Sequence, residues 1–165
     1  MNREMQIIRE VNIQAEIFYP DSVRLGDHAA SVIGRSRRSQ MTGLENIADS
    51  ALKTSDIFDY IKRQTARFSF WRQSFPNENQ FATERHATDN IAFGERLIHH
   101  LQIDLAERRD TICGSERLNI DASTYENQHL RRQVHLLLIR QFIHQMVAQY
   151  EFRASLTTIA RRERH

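Results

Sequence analysis

Proline and glycine are scarce in this chain, with two Pro and five Gly in 165 residues. A β-sandwich or barrel needs turn residues every few positions, so the scarcity excludes a turn-rich β architecture and points to long helices. Cysteine is scarcer still. The single Cys113 rules out an internal disulfide and a cysteine-based zinc site. Lysine is almost missing: 21 of the 23 basic residues are Arg, leaving only Lys53 and Lys62. No apolar run approaches the ~20 residues of a membrane span, so no membrane insertion is expected. The segment Met1-Asn2-Arg3-Glu4-Met5 lacks the apolar core of a signal peptide. An intracellular, cytoplasmic protein is therefore expected. What is present is an ordinary globular composition, 40% hydrophobic and 27% charged. Its length suits one domain that buries a core without disulfide or metal.

Hydrophobic periodicity predicts an all-α domain of about five to six helices, two of them long, over residues 1–160, followed by a frayed basic tail at 161–165. Ile8, Val11, Ala15 and Phe18 recur at steps of three and four, which predicts a first helix over Arg3–Tyr19. Pro20 is expected to end it. A weaker helical stretch, Asp21–Ile33, is closed by Gly34. Arg35–Gln40 has no periodicity and reads as an exposed loop. Leu44, Ile47, Ala48, Ala51 and Leu52 form one stripe and predict a short helix to Lys53. A helix is expected from Asp56 to Ser74, after the cap cluster Thr54-Ser55-Asp56. Pro76–Asn79 reads as a loop and Phe81–Arg109 as one long helix. Gly94 interrupts the stripe of that helix, where it marks a bend or the close approach of another backbone. Asp110–Asp121, with Cys113, reads as a loop. Ser123 opens the last helix, which runs to about Ala160. Its segment Val134–Ile143 is apolar on more than one face, so it should lie centrally.

No phosphate-binding glycine loop, nucleophile elbow or His-Glu-x-x-His occurs. His99 and His100 are adjacent, so they diverge by about 100° on a helix and cannot share a metal. No cofactor or metal is expected. An Arg-x-x-x-His spacing recurs at Arg24/His28, Arg96/His100, Arg131/His135 and Arg140/His144. Each pair shares a helix face. The pattern resembles that of helical ribonucleases carrying Arg and His on one helix, but those use a wider spacing, so the catalytic motif is absent. No catalytic residue is assigned.

The candidate partner-binding residues are Arg35, Arg37 and Arg38, and then Lys62, Arg63, Arg67, Phe70, Trp71 and Arg72. Arg63 and Arg67 share a helix face where like charges repel by a few tenths of a kcal/mol. Stability gives no reason for them, whereas an acidic or phosphate partner does. In Ala66-Arg67-Phe68-Ser69-Phe70-Trp71-Arg72, a helix would spread three aromatics over about 300°, so they cannot all face one core. Trp71 beside Arg72 has the composition of an interface anchor. These residues predict a non-enzymatic helical adaptor that packs an Arg-rich surface into an acidic multi-subunit assembly. The alternative is a small nucleic-acid-binding subunit of a larger RNA– or DNA–protein complex.

Ile8-Arg9-Glu10-Val11-Asn12-Ile13-Gln14 resembles the first-helix pattern of phycobilisome linker polypeptides. Asp49-Ser50-Ala51-Leu52-Lys53-Thr54-Ser55-Asp56-Ile57 is similar to their Glu-Ser-x-Leu-basic-Asn-Gly-x-Ile, with Ser55 in place of the glycine. Asp59-Tyr60-Ile61-Lys62, then Phe70, Arg72 and Phe75, resembles the helix that follows and its aromatic-x-Arg-x-x-aromatic close. Asn77, Asn79, Phe81 and Phe93-Gly94 fall where that family has an Asn-rich turn, an aromatic and Leu-Gly-Arg, here Phe93-Gly94-Glu95. Phe142-Ile143 with Phe152 and Leu156 looks like the family's closing helix. The resemblance implies a chromophore-free linker seated among acidic phycobiliproteins, peripheral to a thylakoid membrane.

Overall fold

The computed structural model describes residues 1–75 and 91–163, the side chains of 157–162 excepted. These residues contain no β-strand, and the all-α expectation holds. Six helices are present among them: α1 (Arg3–Val32), α2 (Arg38–Ser50), α3 (Thr54–Arg67), α4 (Phe93–His99), α5 (Leu105–Ile112) and α6 (Tyr125–Glu163). Tight 3₁₀ turns occupy Arg35–Arg37 and Ser69–Arg72, and a π-helical turn, His100–Asp104, joins α4 to α5.

Helix α1 runs straight through Pro20, so the two helices expected on either side of it are one. The apolar face keeps its register across the proline: Val11, Ala15, Phe18, Leu25, Ala29 and Val32 are all buried. Pro20 deprives the Glu16 carbonyl of its N–H partner, but both residues are exposed. The cost of an interior proline, about 3 kcal/mol, is outweighed by burial worth roughly 1.5–3 kcal/mol for each large apolar side chain.

The long helices are α1, of 30 residues, and α6, of 39. They run parallel, since their contacts advance together. Gln145 Nε2 donates to the Ala15 carbonyl (3.1 Å) and Arg153 Nε to Asp27 (3.0 Å), while Tyr150 Oη ties α6 to the Gly34 carbonyl just past the end of α1 (2.5 Å). Gly26 permits this closeness. A Cβ there would lie 2.6 Å from the Met146 carbonyl oxygen and 2.5 Å from Gln149 Cβ. Gly26→Ala must therefore push the two backbones apart, and is expected to lower stability by about 1–3 kcal/mol in urea unfolding. An unchanged midpoint would show that the helices separate freely.

Helix α2 lies antiparallel to α6, with Arg38 on Glu151 at one end and Arg140 on the Ala48 and Ala51 carbonyls at the other. The π-turn segment is likewise antiparallel to α6: His135 reaches the Leu101 carbonyl, and Arg131 pairs with Asp110. Thus α6 touches α1, α2, α3 and α5, which accounts for the buried Val134, Leu138, Ile139, Phe142 and Ile143 on several of its faces. One continuous apolar cluster joins all six helices.

Several boundaries differ from the periodicity, and α2 ends at Ser50, before extended Ala51, where a helix to Lys53 is expected. The expected loop Arg35–Gln40 is a 3₁₀ turn plus the first turn of α2, because buried Met41 extends the apolar stripe one turn earlier. Helix α3 stops at Arg67, not Ser74. The helix expected over Phe81–Arg109 begins at Phe93 in the described part, since Ala92 is extended (ψ 144°). The Pro76–Asn79 loop and the 81–90 part of that helix lie outside the described residues. Buried Ile112 draws Asp110–Ile112, expected as loop, into α5. The last helix continues through 161–163, which had been expected to fray; Arg164 and His165 lie outside the described residues. Gly94 does mark a close approach, since a Cβ there would collide with Thr65 Oγ1 on α3.

Candidate functional site

The α2–α3 hairpin gathers the two basic clusters at one end. Tyr60 Oη donates to the Gln40 carbonyl (3.4 Å), Trp71 Nε1 donates to Gln40 Oε1 (3.3 Å), and the Arg37 guanidinium lies over the Phe70 ring. These contacts seat the C-terminal end of α3 beside the start of α2. Neither 34–44 nor 60–75 contains an Asp or Glu. The acidic residues of the hairpin, Glu45, Asp49, Asp56 and Asp59, fall toward its other end.

Arg35, Arg37, Arg63 and Arg67 are exposed and have no ion-pair partner among the described residues. Around α3, Arg67 lies about 20° and Arg63 about 60° from Tyr60, so both flank α2. Two of the charged candidates are tied into the fold. Arg38 pairs with Glu151 (2.9 Å), and Arg72 Nη1 donates to the Thr65 and Ala66 carbonyls (2.9 and 3.0 Å). Arg72 thereby satisfies carbonyls that the end of α3 leaves open. Lys62 is a correction. It lies about 160° round α3 from Tyr60 and points away from the cluster.

Trp71 is the second correction. It is 0% exposed, packed on Phe93 with ring centroids 5.2 Å apart, and cannot anchor a partner. The aromatic conflict in the sequence is resolved by ending the helix. Phe68 takes an extended conformation (φ −121°, ψ 121°), and the 3₁₀ turn swings Trp71 into the core. Phe68 and Phe70 stay half-buried and stack on each other, with centroids 5.3 Å apart and planes 26° apart.

The same-helix Arg-x-x-x-His spacing is not the pairing the structure uses. His28 is fully buried between the Phe75 and Phe93 rings and receives a hydrogen bond from Arg96 Nη1 on its Nδ1 (3.3 Å). A guanidinium can only donate, so His28 Nε2 carries the proton and donates to the Gln73 carbonyl (3.1 Å). His135 repeats the device, with Arg109 on Nδ1 (3.4 Å) and the Leu101 carbonyl on Nε2 (2.8 Å). Burial holds its pKa below the usual value; the Leu101 bond opposes this and the Arg109 charge adds to it. These histidines are structural pins between helices. Sequence spacing missed them because each partner comes from a different helix.

A cleft of about 360 Å³ beside the π-turn holds Asp21, Arg24, Arg96, His100 and Asp104. Asp21 pairs with Arg24 (2.7 Å) and Asp104 holds His100 Nδ1 (2.8 Å). Burial lowers the His100 pKa, against the opposing pull of Asp104.

His144 bridges α6 to α2, with Nδ1 3.0 Å from Glu45 and Nε2 2.7 Å from Asp49. Burial pulls its pKa down, but the hydrogen bonds and charges of Glu45 and Asp49 outweigh this and raise it. A raised pKa means that the bridge stabilises fully below the unfolded value of about 6.5 and is lost as pH rises through the folded value. Because the pair is largely exposed, the effect should stay below about 1 kcal/mol. Comparing urea midpoints of the native protein and His144→Ala should show a gap at pH 5.5 that closes by pH 9. A gap that grows with pH would overturn this assignment.

Among the described residues, no three His, Cys, Asp or Glu side chains converge on a metal position, and no helix is long and apolar enough to cross a membrane. Comparison with family models, with curated proteins and with solved structures finds no match for this chain.

Proposed function

We propose that this chain is a non-enzymatic helical binding subunit that docks through its basic end onto nucleic acid within a larger RNA– or DNA–protein complex. One observation carries the reading: two segments without acidic residues, each bearing exposed arginines, are held together at Gln40, with Arg37 over the half-buried Phe70 ring. Protein interfaces have charge-depleted centres built on apolar or aromatic anchors. With Trp71 in the core, the aromatic left at this end is the half-buried Phe68–Phe70 pair, and its Phe70 lies under a guanidinium instead of in a charge-depleted centre. Surfaces that meet phosphate backbones are rich in exposed positive charge, and Arg35, Arg37, Arg63 and Arg67 supply it here. The test is fluorescence anisotropy of the full chain with a labelled oligonucleotide over about 50–200 mM salt, where affinity should fall steeply. Absence of binding throughout that range would overturn the proposal.

The second reading, an adaptor within an acidic protein assembly, is favoured by a different feature. Leu52, in the stretch most like the phycobilisome linkers, is 94% exposed. It borders an apolar groove of about 820 Å³ that includes Ile7, Ile8, Leu130 and Leu137. A protein partner would cover such a groove. In the narrow form of this reading, the chain joins phycobiliprotein discs beside a thylakoid membrane. Binding of an acidic phycobiliprotein but not of the oligonucleotide would select it.

A further inference from the structure

Resting on the nucleic-acid reading, we infer that the basic end takes its ligand single-stranded, with an unpaired base stacked on the Phe70 ring in the place now held by the Arg37 guanidinium. The Arg37 Cζ lies 4.2 Å from the Phe70 centroid, and Phe68 backs the same ring. Phe70 is packed against the core, whereas the side chain that covers its ring is exposed. That cover is weakly attached. Arg37 has no ion-pair partner among the described residues, and its one hydrogen bond, to the Ile33 carbonyl, is long at 3.4 Å.

The magnitudes favour exchange. An exposed cation–π contact is worth about 2- to 5-fold in an equilibrium constant, whereas stacking one base on an aromatic ring is worth about 5- to 150-fold. The displaced guanidinium is not lost to the complex. It stays tethered beside the ring, where it can take a phosphate oxygen of the same strand. A duplex cannot use the ring, because its base faces are already stacked and only its backbone and groove edges are offered.

The experiment compares three ligands with the full chain: a short oligo(dT), an abasic strand of the same length, and a duplex. The abasic strand keeps the phosphates and lacks the rings. Oligo(dT) should bind roughly tenfold more tightly than the abasic strand, and more tightly than the duplex. Phe70→Leu, which keeps apolar packing without an aromatic face, should erase the preference over the abasic strand, read as the ratio of the two affinities. Phe70→Tyr should restore the preference. Equal binding of oligo(dT) and the abasic strand, tighter binding of the duplex, or a preference that survives Phe70→Leu would each overturn the inference while leaving the nucleic-acid reading in place. If none of the three ligands binds, that reading itself fails.

Discussion

Trp71→Ala is expected to cost about 3–5 kcal/mol, the usual range for emptying a fully buried large aromatic site. That is a large part of the 5–15 kcal/mol by which a typical domain is stable. The indole packs on Phe93, from α4, and hydrogen-bonds to Gln40, from α2. Its loss thus loosens three segments at once. Circular dichroism through a urea titration should show a much lower midpoint, or a chain already partly unfolded in buffer. Trp71→Phe keeps most of the packing and leaves Gln40 Oε1 without its donor, so its cost should be smaller, about 1–3 kcal/mol. A stable, fully helical Trp71→Ala with weakened partner binding would reverse the core assignment and return Trp71 to the surface.

Removing charge from the basic end should have the opposite profile. Arg35, Arg63 and Arg67 are exposed and hold no ion pair among the described residues, so replacing all three by Ala should alter stability by little, each within about 0.5 kcal/mol. Binding should suffer heavily. If each arginine meets one phosphate of a single strand, the slope of log affinity against log salt should flatten by about two, at roughly 0.7 per contact. The same slope gives about a 100-fold loss at 0.1 M salt. Lys62→Ala is the internal control. It carries the same charge on the far flank of α3 and should leave the affinity nearly unchanged. If Lys62→Ala weakens binding as much as Arg67→Ala, the site is a diffuse positive field, not the α2–α3 end.

The two profiles separate what one short stretch of sequence does. Residues 66–72 hold three aromatics and two arginines, and side-chain type alone does not divide them between core and surface. The division depends on where α3 ends. Had the helix continued to Ser74, Trp71 would have projected from a different face. The extended backbone at Phe68 turns it inward and leaves Phe70 under Arg37.

Much of the architecture follows from local pattern. The scarcity of Pro and Gly and the steps of three and four determine that the chain is helical, and they place the cores of α1, α2, α3 and α6, because amphipathic periodicity is a property of neighbouring residues. The mixed apolar faces of Val134–Ile143 likewise determine that α6 is central, and Gly94 signals its own close contact. The lack of acidic residues in 34–44 and 60–75 is also plain in the sequence. Only the tertiary structure decided the rest. Pro20 remains inside α1 because burial along α6 outweighs a local penalty. His28 and His135 find arginines 68 and 26 residues away, although each has one at helical spacing on its own strand of sequence. The two basic clusters become one surface only because Gln40 receives both Tyr60 and Trp71. Each of these depends on which helix packs beside which, and that is settled by the summed burial of the whole core, a quantity no single window of residues contains.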